Sequence, residues 1–270
     1  MFTDPILKKC VSDLNRQGWV IESVNYGSAI VEMNFPQEFA RLCQVLGTVT
    51  LNIEDSIIKR GGGKTDQTKD LTNKLNHQGW FADNIRIENQ VRFENSGKQL
   101  GSVSLTHEID HMITNADGKI GTLEIEWNNR GEFFDRDIQA IRALYELSII
   151  EVGIIIAHGP GMRDALKEIV DKYFLDHGIK KIEDFDGIAK RLEAKYGQDR
   201  FSFPTGAQKK SIGDKVRAGH SFTKAAASVF VDNKYAIKHT NWESLQKRIH
   251  RKDLGRSPAI LIGIPSSVFC

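Results

Sequence analysis

Apolar residues recur along the chain with two distinct spacings. From Ser102 to Met112, and again from Ile120 to Trp127, apolar and polar residues alternate, as in a strand with one face on a core. Between them Asn115-Ala-Asp-Gly118 is a turn signal, because glycine accepts the positive φ that short hairpin loops require. The two segments are read as a β-hairpin. Helical spacing follows: Ile138, Ile141, Leu144 and Tyr145 share one face of Asp135–Leu147, which has aspartates in its first turn. Thr68–Trp80, Arg163–Phe174 and the amphipathic Trp242–His250 read as further helices. Ile149–Ala157 and Ala259–Ile264 are short continuous apolar runs, typical of strands buried on both faces.

The first sixty residues hold strand-like pieces such as Gly27-Ser-Ala-Ile-Val-Glu-Met33, and an apolar helical stretch around Phe39–Leu46. Asp186–Val231 is glycine-rich, polar and basic, with scattered aromatic residues; it is read as an insertion with a helical start near Ile188–Tyr196. Together these elements predict an α/β fold with a central mixed β-sheet sandwiched by helices. A single domain over residues 1–270 is expected, with its core at about 55–175 and 235–265 and the insertion at about 186–231.

Composition narrows the class. Hydrophobic residues make up 40% and charged residues 27% of 270, which suits a globular protein with a full core. No apolar run reaches the length of a membrane span, and Met1–Cys10 lacks the apolar centre of a secretory signal. Cys10, Cys43 and Cys270 form neither an even set nor a metal-ligand spacing, so a reduced, cytoplasmic protein with inert cysteines is expected. Net charge is only +2, but 16 Lys/Arg against 6 Asp/Glu lie from Gly187 onward, leaving 21 against 29 before it. A basic end on an acidic body suits binding of a polyanion, or simply solvated helix faces.

The hairpin brings carboxylates together. Glu124 and Glu126 share one face of their strand. With Ala116-Asp117-Gly118 as a three-residue loop, facing residues have numbers summing to 234, which sets Asp110 opposite Glu124. Three crowded carboxylates raise one another's pKa or recruit a cation, and hard oxygen ligands select Mg²⁺. A solvated edge of the hairpin would account for the same residues without any metal.

The longer string around them carries a resemblance. Thr122-Leu-Glu-Ile-Glu-Trp-Asn-Asn129, Phe133-Phe-Asp-Arg-Asp137, Ala143-Leu-Tyr-Glu146 and Ile149-Ile-Glu-Val-Gly-Ile-Ile-Ile156 resemble the BglII/BstYI-type restriction endonucleases of the PD-(D/E)xK nuclease superfamily. Gly61-Gly-Gly-Lys64, Gly79-Trp80, His239-Thr-Asn-Trp242 and Pro258–Ile264 fit the same pattern. The resemblance implies a restriction-endonuclease-like core, and a Mg²⁺-dependent homodimer that hydrolyses double-stranded DNA at a short palindrome, leaving 5′-phosphate and 3′-hydroxyl ends. A methyltransferase protecting the same sequence is implied as its functional partner.

By the same resemblance Asp110 and Glu124 match the metal-binding acids, with the carbonyl of Ile125 as a further ligand. Glu126 stands where most of the superfamily has lysine and would orient or deprotonate the water. The hairpin is several residues longer than is usual in the family, which makes Asp117 a rival to Asp110. Asp110 is favoured because His107-Glu-Ile-Asp-His111 looks like the family's approach to the hairpin and pairs well across it.

Gly61-Gly-Gly-Lys-Thr65 is not a nucleotide-binding P-loop, since Ile58 stands where its first glycine belongs. Lys64 is instead a candidate phosphate contact, with a plain turn as the alternative. His239, Thr240 and Arg251, in the most basic segment, are candidate DNA contacts, and Arg136 and Arg142 candidate dimer contacts. The basic insertion, with Lys209, Lys210, Lys215 and Arg217, would be an arm around the duplex or a loop of no consequence. A structure-selective nuclease and an inactive DNA-binding module remain alternatives, the second because of Glu126.

Overall fold

The alternating segments pair in the expected register. β3 (Gln99–Thr114) and β4 (Ile120–Glu126) are antiparallel, with pairs running from Thr114↔Ile120 to His111↔Leu123. The turn is closed by Asn115, whose N–H donates to the Lys119 carbonyl at 2.9 Å and whose side chain accepts from the N–H groups of Asp117 and Lys119. Gly118 takes φ +80° there. The structure, a computed structural model, describes residues 2–59, 66–127, 129–197, 204–236 and 238–270, without the side chains of 89–92, 99–100, 102–103 and 105.

The hairpin belongs to one six-stranded mixed sheet of order β1-β6-β5-β4-β3-β2. β5 (Val152–His158) and β6 (Ala259–Ile264) run parallel to β4, and every residue of both is buried. Two covered faces leave no polar side to such strands, which explains their continuous apolar runs. β1 (Val20–Val24) closes one edge against β6, and β2 (Phe81–Arg92) forms the other against β3.

Helices cover both faces. On one, α5 (Phe133–Glu146) and α10 (Trp242–His250) bring Phe134, Ile138, Ile141, Leu144, Trp242 and Leu245 onto Ile155 and Leu261. On the other, α1 (Pro5–Arg16), α3 (Pro36–Leu46), α4 (Asp66–His77) and α6 (Met162–Asp176) share a larger core with Leu123, Ile154, Ile156 and Ile262. No described helix is long and apolar enough to cross a membrane.

Two segments differ from their sequence reading. Residues 27–34 form α2 (Gly27–Asn34), not a strand, and the buried positions Gly27, Val31 and Asn34 follow helical spacing. Gly27 lets that helix start against β6, because a Cβ there would lie 2.2 Å from the Ala259 carbonyl oxygen. The basic stretch after residue 185 is helical in its described parts, as α7 (Asp186–Tyr196), α8 (Gly206–Arg217) and α9 (Phe222–Lys234).

Thr205 and Ser221 cap α8 and α9. α9 is no surface arm: Ala225, Ala226, Ala227, Phe230 and Val231 are buried, and the small alanine face packs against α6. Phe174, Phe185, Phe222 and Phe230 from three elements join in one aromatic cluster, so their scatter in sequence reflects convergence in space. Exposed Lys209, Lys210 and Arg217 remain on α8.

Candidate active site

β3 changes phase just where it meets the end of β4. Phe81↔Met112 is followed by Asp83↔Ile109, so two steps along β2 face three along β3. The extra residue is a β-bulge, which re-aims side chains at a strand junction. Ile109 and Met112, three apart, accordingly pack into the same cluster under α5. Asp110 lies within this bulge, and the β3–β4 ladder stops one pair short of it. Its carboxylate replaces the missing ladder acceptor: Oδ2 accepts from the N–H of Ile125 at 2.9 Å. The Asp110 N–H in turn donates to Oε2 of Glu124 at 3.1 Å.

Glu124 and Glu126 project together toward α5, while Leu123 and Ile125 enter the opposite core. Glu124 Oε1 lies 2.9 Å from Nε2 of His107, two turns of the pleat upstream on β3. Asn129 donates to Oε2 of Glu126 at 3.0 Å. Asp137 comes from the second turn of α5; Nε2 of His107 and Nε of Arg136 each stand 3.7 Å from its Oδ1. One ligand atom each of His107, Glu124 and Asp137 lie within 4.8 Å of one another. This compact trio shares only Glu124 with the predicted set of Asp110, Glu124 and Ile125.

The cluster is short of positive charge. Glu124, Glu126 and Asp137 are at most 4% exposed. Burial, reinforced by the charges of Asp137 and Asp110, pushes the Glu124 carboxyl up to about 9. Burial and the Asp137 charge do the same to Glu126, also to about 9. Burial raises Asp137 as well, and it lowers His107, keeping that ring neutral. No N–H of a described residue donates to Asp137, whose hydrogen-bond partner is the neighbouring carboxyl of Glu126. Buried carboxylates crowded against one another, in an oxygen-rich set with one imidazole, fit a divalent cation.

Asp110, Glu124, Glu126 and Asp137 open into a cleft of about 390 Å³, also lined by Asp55, Lys59, Arg136, Lys234 and Tyr235. Asp55, on a single π-helical turn (Glu54–Ile58), is buried, but hydrogen bonds from Lys195, Gln67 and Tyr196 outweigh that burial and hold its pKa down.

Among the described residues, Arg136 lines the cleft and the candidate DNA contacts do not. Lys64 and its glycine loop lie outside the described residues. Thr240 is 1% exposed; its N–H donates to the Asn129 carbonyl at 2.8 Å, so it fastens two loops and presents nothing to solvent. His239 is half-buried and its Nδ1 accepts from the Ala236 N–H at 3.1 Å. Asn241, two residues further on, caps α10. Arg251 is exposed but paired with Asp253 at 2.6 Å. Arg142 is paired with Glu146 at 2.7 Å, and Asp117 sits in the exposed turn far along the hairpin from Glu124.

Asp137 and His107 were missed by sequence reasoning. Asp137 falls between Phe134 and Ile141 on the buried stripe of α5, and a carboxylate at a core position of an amphipathic helix is the signal that marks it.

A family model described as restriction endonuclease BglII/BglIII matches residues 19–264. No curated protein matches the chain significantly. Carboxylates of β3, β4 and α5 gathered at one end of a mixed sheet agree with that match, which spans almost the whole molecule. The chain belongs to the BglII/BglIII family of restriction endonucleases, type II site-specific deoxyribonucleases that act on DNA and typically use a divalent metal ion.

Proposed function

We propose that the protein is a Mg²⁺-dependent endonuclease that hydrolyses both strands of DNA at a short palindrome, leaving 5′-phosphate and 3′-hydroxyl ends. The observation that carries this reading is the convergence of Asp110, Glu124, Glu126 and Asp137 on one cleft, in an arrangement deficient in positive charge. Asp110, Glu124 and the carbonyl of Ile125 would hold the ion, with Asp137 completing the acidic wall. When bound, Mg²⁺ supplies charge stabilisation to the phosphoryl group in the transition state.

The side chains do the positioning. Asp110 is fixed by the Ile125 N–H, so its carboxylate keeps a set distance from Glu124. His107 orients Glu124 through Oε1. Asn129 holds one oxygen of Glu126, and with the cluster's charge offset by a bound cation its carboxylate would orient the attacking water in line with the phosphorus and take its proton. The bulk of rate enhancement then rests on orientation and electrostatics, without a covalent enzyme intermediate.

One such site per chain implies a homodimer, whose two-fold axis matches that of a palindrome. It also implies a methyltransferase that protects the host at the same sequence.

The test is incubation of purified protein with unmethylated phage DNA, with and without Mg²⁺, followed by end-sequencing. Discrete, metal-dependent fragments sharing a palindrome are expected. Retention of DNA in a gel shift with no cleavage in any divalent metal would overturn the nuclease reading in favour of an inactive DNA-binding module.

A further inference from the structure

The wall of the cleft away from β4 is basic. Lys59, which follows the π-helical turn, and Lys234, the last residue of α9, both line it. The nearest acid on that side, Asp55, is already engaged: it accepts from Lys195 at 2.5 Å, and from Gln67 and Tyr196 at 2.8 Å each. Lys234 Nζ donates to the Ser56 carbonyl at 3.1 Å, and no described carboxylate lies within 4.0 Å of it. Lys59 Nζ sits 3.6 Å above the Tyr196 ring.

This placement is imposed by the fold. α9 is locked into the core by its alanine face and Phe230, and the residue after Lys234, Tyr235, is packed on His158 at 4.7 Å between ring centroids. Lys234 therefore cannot swing outward as a surface lysine does. Burial, with the Lys59 charge beside it, pushes its ammonium down to about 8. A three-donor cation with one neutral acceptor and a like charge for a neighbour is a position that an anion would relieve.

We infer that Lys234 and Lys59 form a phosphate clamp, holding the non-bridging oxygens of a DNA backbone phosphate across the cleft from the carboxylates. The inference rests on reading the cleft as the nuclease active site. An ammonium is a compact point charge suited to a phosphate oxygen, and a contact to the backbone carries no sequence information.

The experiment measures duplex DNA binding in EDTA, where cleavage is absent, as a function of salt for wild type, Lys234→Gln, Lys234→Arg and Lys59→Gln. One phosphate contact contributes about 0.9 to the slope of log affinity against log salt. Lys234→Gln is expected to lower the slope by about that amount and weaken binding roughly tenfold, with Lys234→Arg keeping the wild-type slope. A folded Lys234→Gln protein with unchanged slope and affinity would overturn the clamp. If that variant does not fold, Lys59→Gln, on the half-exposed side, decides by the same criterion. Wild-type cleavage in Mg²⁺ tests the nuclease reading separately, so a cleaving enzyme with an unaltered Lys234→Gln slope would sink only the clamp. A wild type that neither binds DNA in EDTA nor cleaves it in Mg²⁺ would remove both.

Discussion

Replacing Glu124 by glutamine separates the two consequences of burying its carboxyl. The group is 3% exposed, and its pKa rises from 4.5 to about 9. At pH 7 the folded protein holds a proton that the unfolded chain has released. Keeping it costs about 3 kcal/mol, at about 1.4 kcal/mol for each pH unit above the unfolded value. Because the folded state binds more protons, this cost is absent below about pH 4.5, grows as pH rises, and levels off above about pH 9. A glutamine has no such proton to retain. Its oxygen can accept from the Asp110 N–H and its amide can donate to Nε2 of His107, which burial keeps neutral.

Glu124→Gln is therefore expected to melt on the order of 5 °C above wild type at pH 7 in EDTA. The gap should close near pH 5 and widen toward pH 9, while cleavage in Mg²⁺ is lost at every pH. Thermal melts followed by circular dichroism at the three pH values, beside a plasmid digestion assay, read both effects. A variant no more stable than wild type at pH 7 and 9, or a gap independent of pH, would refute the reasoning.

Asp110→Asn should keep the fold, since its amide oxygen can still accept from Ile125, yet reduce single-turnover cleavage roughly a hundredfold or more. Asp117→Asn, in the exposed turn, should change it less than about twofold, and the reverse order would transfer the metal-binding role to Asp117. Gly153→Ala would drive a methyl to within 2.7 Å of the Ile141 side chain, where β5 meets α5. It should cost about 1–3 kcal/mol in urea denaturation with little change in the slope, and an unaltered midpoint would show that Ile141 can yield.

Much of the sheet was legible because its strands differ so sharply in surroundings. β6 and α10 fall on their expected residues, one as an uninterrupted apolar run and the other through helical spacing capped by Asn241. The hairpin register could be worked out from the turn alone, and Thr114↔Ile120 through His111↔Leu123 follow it. β2 was missed because its exposed positions, such as Asp83, Arg86 and Glu88, lie in a ribbon that reaches past β4 and buries little. α2 was misread because eight residues hold barely two helical turns, and its helical phase shows only in what it packs against. Among the site residues, Glu124, Glu126 and Asp110 announced themselves by alternation. His107 did not, because the bulge between it and the hairpin breaks the counting rule that located the others.

That counting rule has a further consequence. In the hairpin, Asp110 and Glu124 stand at the cleft end and the turn at the far end, with four paired positions between them. A pair of residues added beside the turn moves the tip outward by about 3.4 Å and leaves both acids where they were. A single added residue would slide one strand by one place and turn its side chains to the opposite face. The acidic cluster is thus insensitive to how far apart its acids lie in sequence, but not to whether that separation is even or odd. The thirteen residues between Asp110 and Glu124 are one admissible length in a series rising by twos. Hairpin length can then drift at its outer tip, where the loop is exposed, without any compensating change at the end that carries the acids.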